Sequence, residues 1–99
     1  MDNSNLNLMY LFSFTVKAKS TELGIKKALP TVRKCEEFAQ SLGILLRSDH
    51  VGVVDETFWV RVTFNVKGSQ NIVLPKVSAL FSFATSLKLS LINQFFLPE

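Results

Sequence analysis

Cysteine, histidine, tryptophan and tyrosine each occur once in this chain of 99 residues, and glycine and proline occur only four and three times. The single cysteine, Cys35, excludes a disulfide within the chain, as is usual in a reducing compartment. The sequence contains no metal-ligand spacing, no glycine-rich phosphate loop and no nucleophile elbow. We therefore expect no metal, no cofactor and no enzymatic activity.

The sequence also lacks a long apolar run and a basic leader. Its first eight residues, MDNSNLNL, are polar and acidic where a signal peptide needs positive charge. The most apolar region, 72–97, is interrupted by Lys76 and Lys88. The eleven residues between these lysines are too few to cross a bilayer, which takes about 20. We expect an intracellular, cytoplasmic protein without a membrane span.

Apolar residues are abundant. They make up 47% of the chain, and nine of them are phenylalanine. This content is enough for a hydrophobic core without a disulfide or a metal, and 99 residues suit one compact domain. We predict a single domain over residues 1–99.

Alternation of apolar and polar residues predicts the strands. In 6–18 and in 58–66 the even-numbered positions are apolar, which is typical of half-buried strands. In 86–91 the odd-numbered positions are leucine, which predicts a last strand. A further strand in 44–54 is less regular and predicts a bulge or a longer turn at 47–50, followed by a tight turn at Asp55-Glu56.

Two segments have the 3.6-residue period of helices and resemble each other. Residues 29–42, LPTVRKCEEFAQSL, share seven of fourteen positions with residues 74–87, LPKVSALFSFATSL, at an offset of 45. Pro30 and Pro75 are each predicted in a first helical turn. Gly43 is predicted to end the first helix.

A second match lies upstream, where 14–17 (FTVK) and 64–67 (FNVK) correspond at an offset of 50. Ordered matches suggest an internal duplication of a strand–helix–strand unit, and chance similarity of short amphipathic segments is the alternative.

The order βαββαβ predicts an α+β ferredoxin-like sandwich, in which a four-stranded antiparallel sheet carries two helices on one face. The main alternative makes 75–96 one long helix, and the alternating leucines argue against it. The predicted core consists of Phe12, Phe14, Val32, Ala39, Val60, Val62, Phe64, Val77, Leu80 and Ala84.

Such a fold leaves two surfaces for a partner. The open sheet face is polar and mildly basic but includes three larger apolar residues. The second helix has no charge at four outward positions where the first helix has four, which predicts burial against a partner. The candidate interface residues are Ser78, Phe81, Ser82 and Thr85 on the second helix and Met9, Leu11 and Trp59 on the sheet.

Three functions remain as hypotheses. We favour a small non-enzymatic interaction or regulatory module that forms a homodimer or docks on another protein. A nucleic-acid binder is the alternative, because segment 17–34 has six basic residues against Glu22 and a basic patch attracts anions. The third is a small enzyme with a cleft around His50 and Arg47. The candidate nucleic-acid residues are Lys17, Lys19, Lys26, Lys27, Arg61 and Lys67.

Overall fold

The chain folds into four strands and two helices in a computed structural model that describes residues 5–87 and 95–98. In chain order these are β1 (Asn5–Lys17), α1 (Thr21–Leu42), β2 (Leu45–Val54), β3 (Thr57–Ser69), α2 (Gln70–Ser86) and β4 (Phe95–Pro98). The strands form one antiparallel sheet in the order β2-β3-β1-β4. The predicted α+β class, with a four-stranded antiparallel sheet and two helices, is confirmed.

β1 and β3 form the centre of the sheet. They pair along their whole length, from Asn5 opposite Ser69 to Lys17 opposite Thr57. Because side chains alternate between the faces of a strand, one face of both strands collects the apolar residues, and the helices cover that face. The fully buried side chains on it include Tyr10, Phe12, Phe14, Phe58, Val62, Phe64 and Val66.

Eight of the ten predicted core residues are buried in this cluster. Val32 and Val77 are only partly buried, and they pack against the cluster from α1 and α2. The alternation in β1 and β3 therefore identified the inward face of the sheet correctly.

Helix α1 begins and ends at local signals. The Ser20 Oγ accepts a hydrogen bond from the Leu23 N–H at 3.3 Å, as an N-cap serine does. At the other end Gly43 adopts the left-handed conformation, with φ 66° and ψ 36°, so its predicted role is confirmed. The Ile44 N–H then donates to the Ala39 carbonyl at 2.9 Å, which satisfies one of the last carbonyls of the helix.

The predicted position of the two prolines is wrong. Pro30 lies inside α1 and Pro75 lies inside α2, because each helix begins well before its proline. In α1 the side-chain cap from Ser20 and the acidic Glu22 in the first turn favour an earlier start, so the helix does not depend on proline for its beginning.

β2 is an edge strand joined to β3 by a two-residue turn. The register with β3 shifts between His50 and Gly52, so the irregularity follows the predicted 47–50 range rather than lying within it. Asp55 and Glu56 form the tight turn, as predicted, with φ values of 52° and 57°. A turn with positive φ at both central residues matches the right-handed twist of the two strands that it joins.

The predicted last strand at 86–91 needs correction. Ser86 is the last residue of α2, and the Leu87 N–H still donates to the carbonyls of Phe83 and Ala84. Leucine favours helical geometry, so the alternating pattern began inside the helix. Residues 88–91 of that prediction lie outside the described residues, and β4 pairs its Phe95–Pro98 with Leu8–Leu11.

The two helices bury matching positions. Three buried positions of α1 recur in α2 at the offset of 45 found in the sequence, and only Gly24 of α1 has no buried counterpart. The matched pairs are Ala28 and Val73, Cys35 and Leu80, and Ala39 and Ala84.

A fourth matched pair joins the helices directly. The rings of Phe38 and Phe83 stack with centroids 4.2 Å apart and planes 6° apart. The hydroxyls of Ser41 and Ser86, also matched, donate to the carbonyls of these two phenylalanines, each at 2.7 Å. The local geometry of the two helix ends is therefore repeated as well as their sequence.

Candidate interaction surfaces

From Ser78 to Ser86 the exposed residues of α2 are phenylalanine, serine and threonine. Its candidate residues Ser78, Phe81, Ser82 and Thr85 are all exposed, and the Phe81 side chain is 46% exposed. The sequence reasoning missed two more large side chains on α2. They are Ile72 and Leu74, which are 52% and 49% exposed. The sequence could have indicated them, because both are apolar residues at helix positions that do not face the core.

Two contacts within the protein hold Phe81 and Thr85 on the outer side of α2. The Phe81 ring packs on the buried Tyr10 ring with centroids 5.5 Å apart, so part of it is already held in place. The Thr85 hydroxyl donates to the Phe81 carbonyl at 2.9 Å. An unsatisfied hydroxyl donor costs about 1–3 kcal/mol when it is buried. Because the Thr85 hydroxyl already donates within the helix, burial of Thr85 in an interface would avoid this cost.

Helix α1 carries charge where α2 carries none. Arg33, Lys34, Glu36 and Glu37 are all exposed, and the residues that match them in α2 are serine, alanine, phenylalanine and serine. Lys76 is the single charged residue of α2. A helix in water normally has charged groups on its outer side, so α2 has the composition of a helix with a covered outer side.

The open sheet face is less uniform than the sequence suggested. Met9 and Leu11 are partly buried and lie opposite Asn65 and Thr63 on β3. Trp59 precedes Thr63 by four residues on β3 and lies about 13 Å from it, at the hairpin end. The structure therefore separates Trp59 from the other two predicted residues.

Leu45 joins the Met9 end of this face and was not predicted there. It lies opposite Asn65 on β3, and at 68% it is the most exposed large apolar side chain of the described residues. Its face depends on the register of β2, and the irregular pattern of 44–54 could not supply that register.

An ion pair occupies the middle of the open face. Arg61 Nη2 and Nε donate to the two carboxylate oxygens of Asp49 at 3.0 and 3.1 Å. The hydrogen bond from Arg61 lowers the pKa of Asp49, and the same contact raises the pKa of Arg61. The guanidinium already has a carboxylate partner, which reduces its availability for a phosphate.

The basic candidates fall into separate places. Lys17, Lys19 and Lys27 line one hollow at the hairpin end of the sheet, and the Lys27 ammonium donates to the Lys17 carbonyl at 2.8 Å. Asp55 and Glu56 line the same hollow, so its formal charge is +3 − 2 = +1. The acidic turn thus offsets most of the local positive charge.

The other basic candidates lie elsewhere. Lys67 is opposite Asn7, about 33 Å along the sheet from Lys17. Lys26 lies on the outer side of α1, in a shallow groove that also includes Arg33, Lys34 and Glu37. The structure brings three of the six candidate nucleic-acid residues together and spreads the rest.

His50 and Arg47 do not form a common cleft. Arg47 lies opposite Thr63 on the open face, whereas His50 lies opposite Val60 on the covered face. The His50 ring packs 5.4 Å from the Phe58 ring. The Cys35 thiol is buried, and burial, aided by the charge of Glu36, raises its pKa to about 12.

No cluster of three or more potential metal-ligating side chains occurs among residues 5–87 and 95–98. None of the described helices has the length and hydropathy that a membrane crossing requires.

Comparison of the chain with protein-family models, with curated proteins and with solved structures gave no match.

Proposed function

We propose that this protein is a non-enzymatic interaction module that forms a two-fold homodimer through the outer side of α2. The observation that carries the proposal is the contrast at matched helix positions. α1 exposes Arg33, Lys34, Glu36 and Glu37, and α2 replaces all four with uncharged residues while its buried positions stay matched.

The physical argument rests on the cost of burying charge. Removing an unpaired charge from water is expensive, so charged residues are depleted at the centre of interfaces, where aromatic residues are enriched. Phe81 supplies an aromatic anchor in the middle of the four candidate residues of α2, and Ser78 and Ser82 allow close approach beside it. A closed two-fold dimer is the commonest assembly for a small domain with one such patch.

The open sheet face is a second contact surface for the same role. Met9, Leu11 and Leu45 supply apolar area at one end of it, and Trp59 lies near the other. The Arg61–Asp49 pair between them favours a polar, less extensive contact than α2 provides.

We also propose the finer fold assignment on which this comparison depends. The strand order and the two helices packed on one sheet face are those expected of a ferredoxin-like domain. The matched buried positions and the stacked Phe38–Phe83 pair support an origin by duplication of one βαβ unit.

Mass in solution tests the dimer. Light scattering coupled to chromatography should give twice the chain mass for the wild type, and Ser78→Glu with Ser82→Glu should give the mass of one chain. The control is Arg33→Glu on α1. Arg33 and Glu37 match Ser78 and Ser82, so this single change also places glutamate at both matched positions, and the variant should remain dimeric. A wild type with the mass of one chain at micromolar concentration would overturn self-association.

Nucleic-acid binding has less support as the alternative. Arg61 is paired with Asp49, and the lysines at the hairpin end lie beside Asp55 and Glu56. Titration with single-stranded oligonucleotides at low salt, followed by Trp59 fluorescence, would detect such binding. A response that weakens steeply with salt would favour this role, since counterion release makes phosphate contacts strongly salt-dependent.

A further inference from the structure

A cavity of about 260 Å³ lies between α1 and the edge strand β2. Ile25, Leu29 and Val32 line it from α1, and Phe58 and Val60 line it from β3. Ile25 and Leu29 are 45% and 41% exposed, so the cavity opens to solvent between large apolar side chains.

The sequence of β2 accounts for this gap. Ser48 and His50 lie opposite Val62 and Val60, so they occupy the face of the strand that the helices cover. Both are polar and both are exposed, where β1 and β3 put buried valine or aromatic side chains. α1 contributes the small Ala28 at the same level. The space that larger apolar residues would fill remains open.

The charged residues around this cavity have one sign, although the chain as a whole is positive. Glu36 and Asp49 line it and no lysine or arginine of the described residues does, but the Asp49 carboxylate lies on the other face of the sheet, where it pairs with Arg61. Asp49 is engaged by Arg61, which leaves Glu36 as the carboxylate most available to a ligand. A cavity with apolar walls, a carboxylate and an imidazole suits a ligand that has an apolar body and a cationic head.

We propose that this cavity binds a small aromatic amine. The ring lies against Phe58 between Ile25 and Leu29, and the ammonium group pairs with Glu36. Size agrees with this ligand class, since an apolar cavity of about 150 Å³ holds benzene and the present one has room for a ring and a short chain. The site lies on α1 and β2, and it does not depend on the proposed dimer contact on α2.

The probe is 2-phenylethylamine, compared with 3-phenylpropionate, which carries a similar body and the opposite charge. Titration of the ¹⁵N-labelled protein at pH 7.5 should shift the amide signals of Ile25, Leu29 and His50 with a common, saturating dependence on the amine. The carboxylate should bind at least about threefold more weakly, because it meets Glu36 instead of a cation. Equal affinity for both compounds, or no saturating shift at these amides, would overturn the proposal.

Two variants assign the contact to the cavity. Glu36→Gln should weaken amine binding about threefold to fivefold, the usual range for an ion pair near the surface. The matched control is Glu37→Gln, which removes the neighbouring carboxylate that does not line the cavity and should leave the affinity unchanged. Ser48→Leu should fill the space and abolish binding. Equal losses in Glu36→Gln and Glu37→Gln would show only a general charge effect and would refute the site.

Discussion

Helices α1 and α2 lie on the same face of the same sheet, yet their exposed residues differ strongly in charge. α1 has 22 residues, of which seven are charged, while α2 has 17 residues and only Lys76 is charged. Their buried positions nevertheless correspond along the chain, from Ala28 with Val73 to Ala39 with Ala84. The inner sides meet a shared core, which restricts the residues that fit there.

The contrast separates two physical demands on one sequence. Packing against the sheet limits size and polarity, because interiors are filled as densely as organic crystals. The outer side is limited only by what covers it, whether water or another protein. The two helices agree on the inner side and disagree on the outer side, which is why we propose the partner contact on α2 and not on α1.

The largest effect should come from breaking the core that both helices share. Phe64 is fully buried on β3, opposite Tyr10 and next to Phe12. Phe64→Ala should lower the free energy of unfolding by about 3–5 kcal/mol, because it removes a buried ring and leaves a cavity. Urea denaturation measures this. Thr63→Ala, on the opposite face, is the control and should cost under about 1 kcal/mol; a Phe64 change as mild as this would refute the assignment of the core face.

A change confined to α1 should have the next largest effect. Gly24 is buried, and a Cβ built there would overlap the Phe58 ring, so the first turns of α1 approach β3 closely only because the residue is glycine. Gly24→Ala should destabilise the protein by about 1–3 kcal/mol despite the better helix propensity of alanine. Gln40→Ala, at an exposed position of the same helix, should change stability little. A more stable Gly24→Ala protein would show that the contact with Phe58 relaxes easily.

Much of this fold could be predicted because it depends on local periodicity. The alternation in β1 and β3 gave the covered face, since buried Phe12 and Phe64 sit at the period of two. Gly43 marked a helix end because its backbone takes a left-handed conformation that other residues avoid. The tight turn at Asp55 and Glu56 followed from polar residues between two strands.

The features that were missed depend on distant parts of the chain. The place of β4 at 95–98 is set by pairing with β1, whereas the leucine pattern at 86–91 is local and began in a helix. The exposure of Leu45 depends on the register of β2 with β3. The cavity beside His50 arises where α1, β2 and β3 meet, and no single segment indicates it.

The matched residues Cys35 and Leu80 should differ in how their contribution to stability depends on pH. Both side chains are fully buried, but only Cys35 can ionise, and burial raises its pKa from 9.0 to about 12. A raised pKa means that the neutral thiol contributes fully to stability below about pH 9. That contribution should fall as the pH rises toward 12, by on the order of 1 kcal/mol at pH 10.

The measurement compares the pH dependence of unfolding in the wild type and in Cys35→Ala. The variant lacks the thiol, so the difference in unfolding free energy between the two proteins should stay constant up to about pH 8 and narrow above pH 9. Other groups that titrate at high pH, including Tyr10, whose pKa is also raised by burial, affect both proteins alike. A constant difference up to pH 11 would show that the thiolate is tolerated at this position.

The smallest effect concerns a contact between matched positions of the two helices. Phe38 and Phe83 stack on each other at 4.2 Å, and they occupy the same position in α1 and α2. If the helices belong to duplicated units, as proposed, equivalent residues touch each other only at the axis that relates those units, and this stack would mark that axis. A double-mutant cycle with Phe38→Leu and Phe83→Leu should give a coupling energy of about 0.5–1.5 kcal/mol, the range of aromatic pairs. Because the pair is matched, the two single changes should also cost similar amounts. Additive effects, or one change far more costly than the other, would mean that the two rings are not equivalent and that the likeness of the helices stops at their buried stripes.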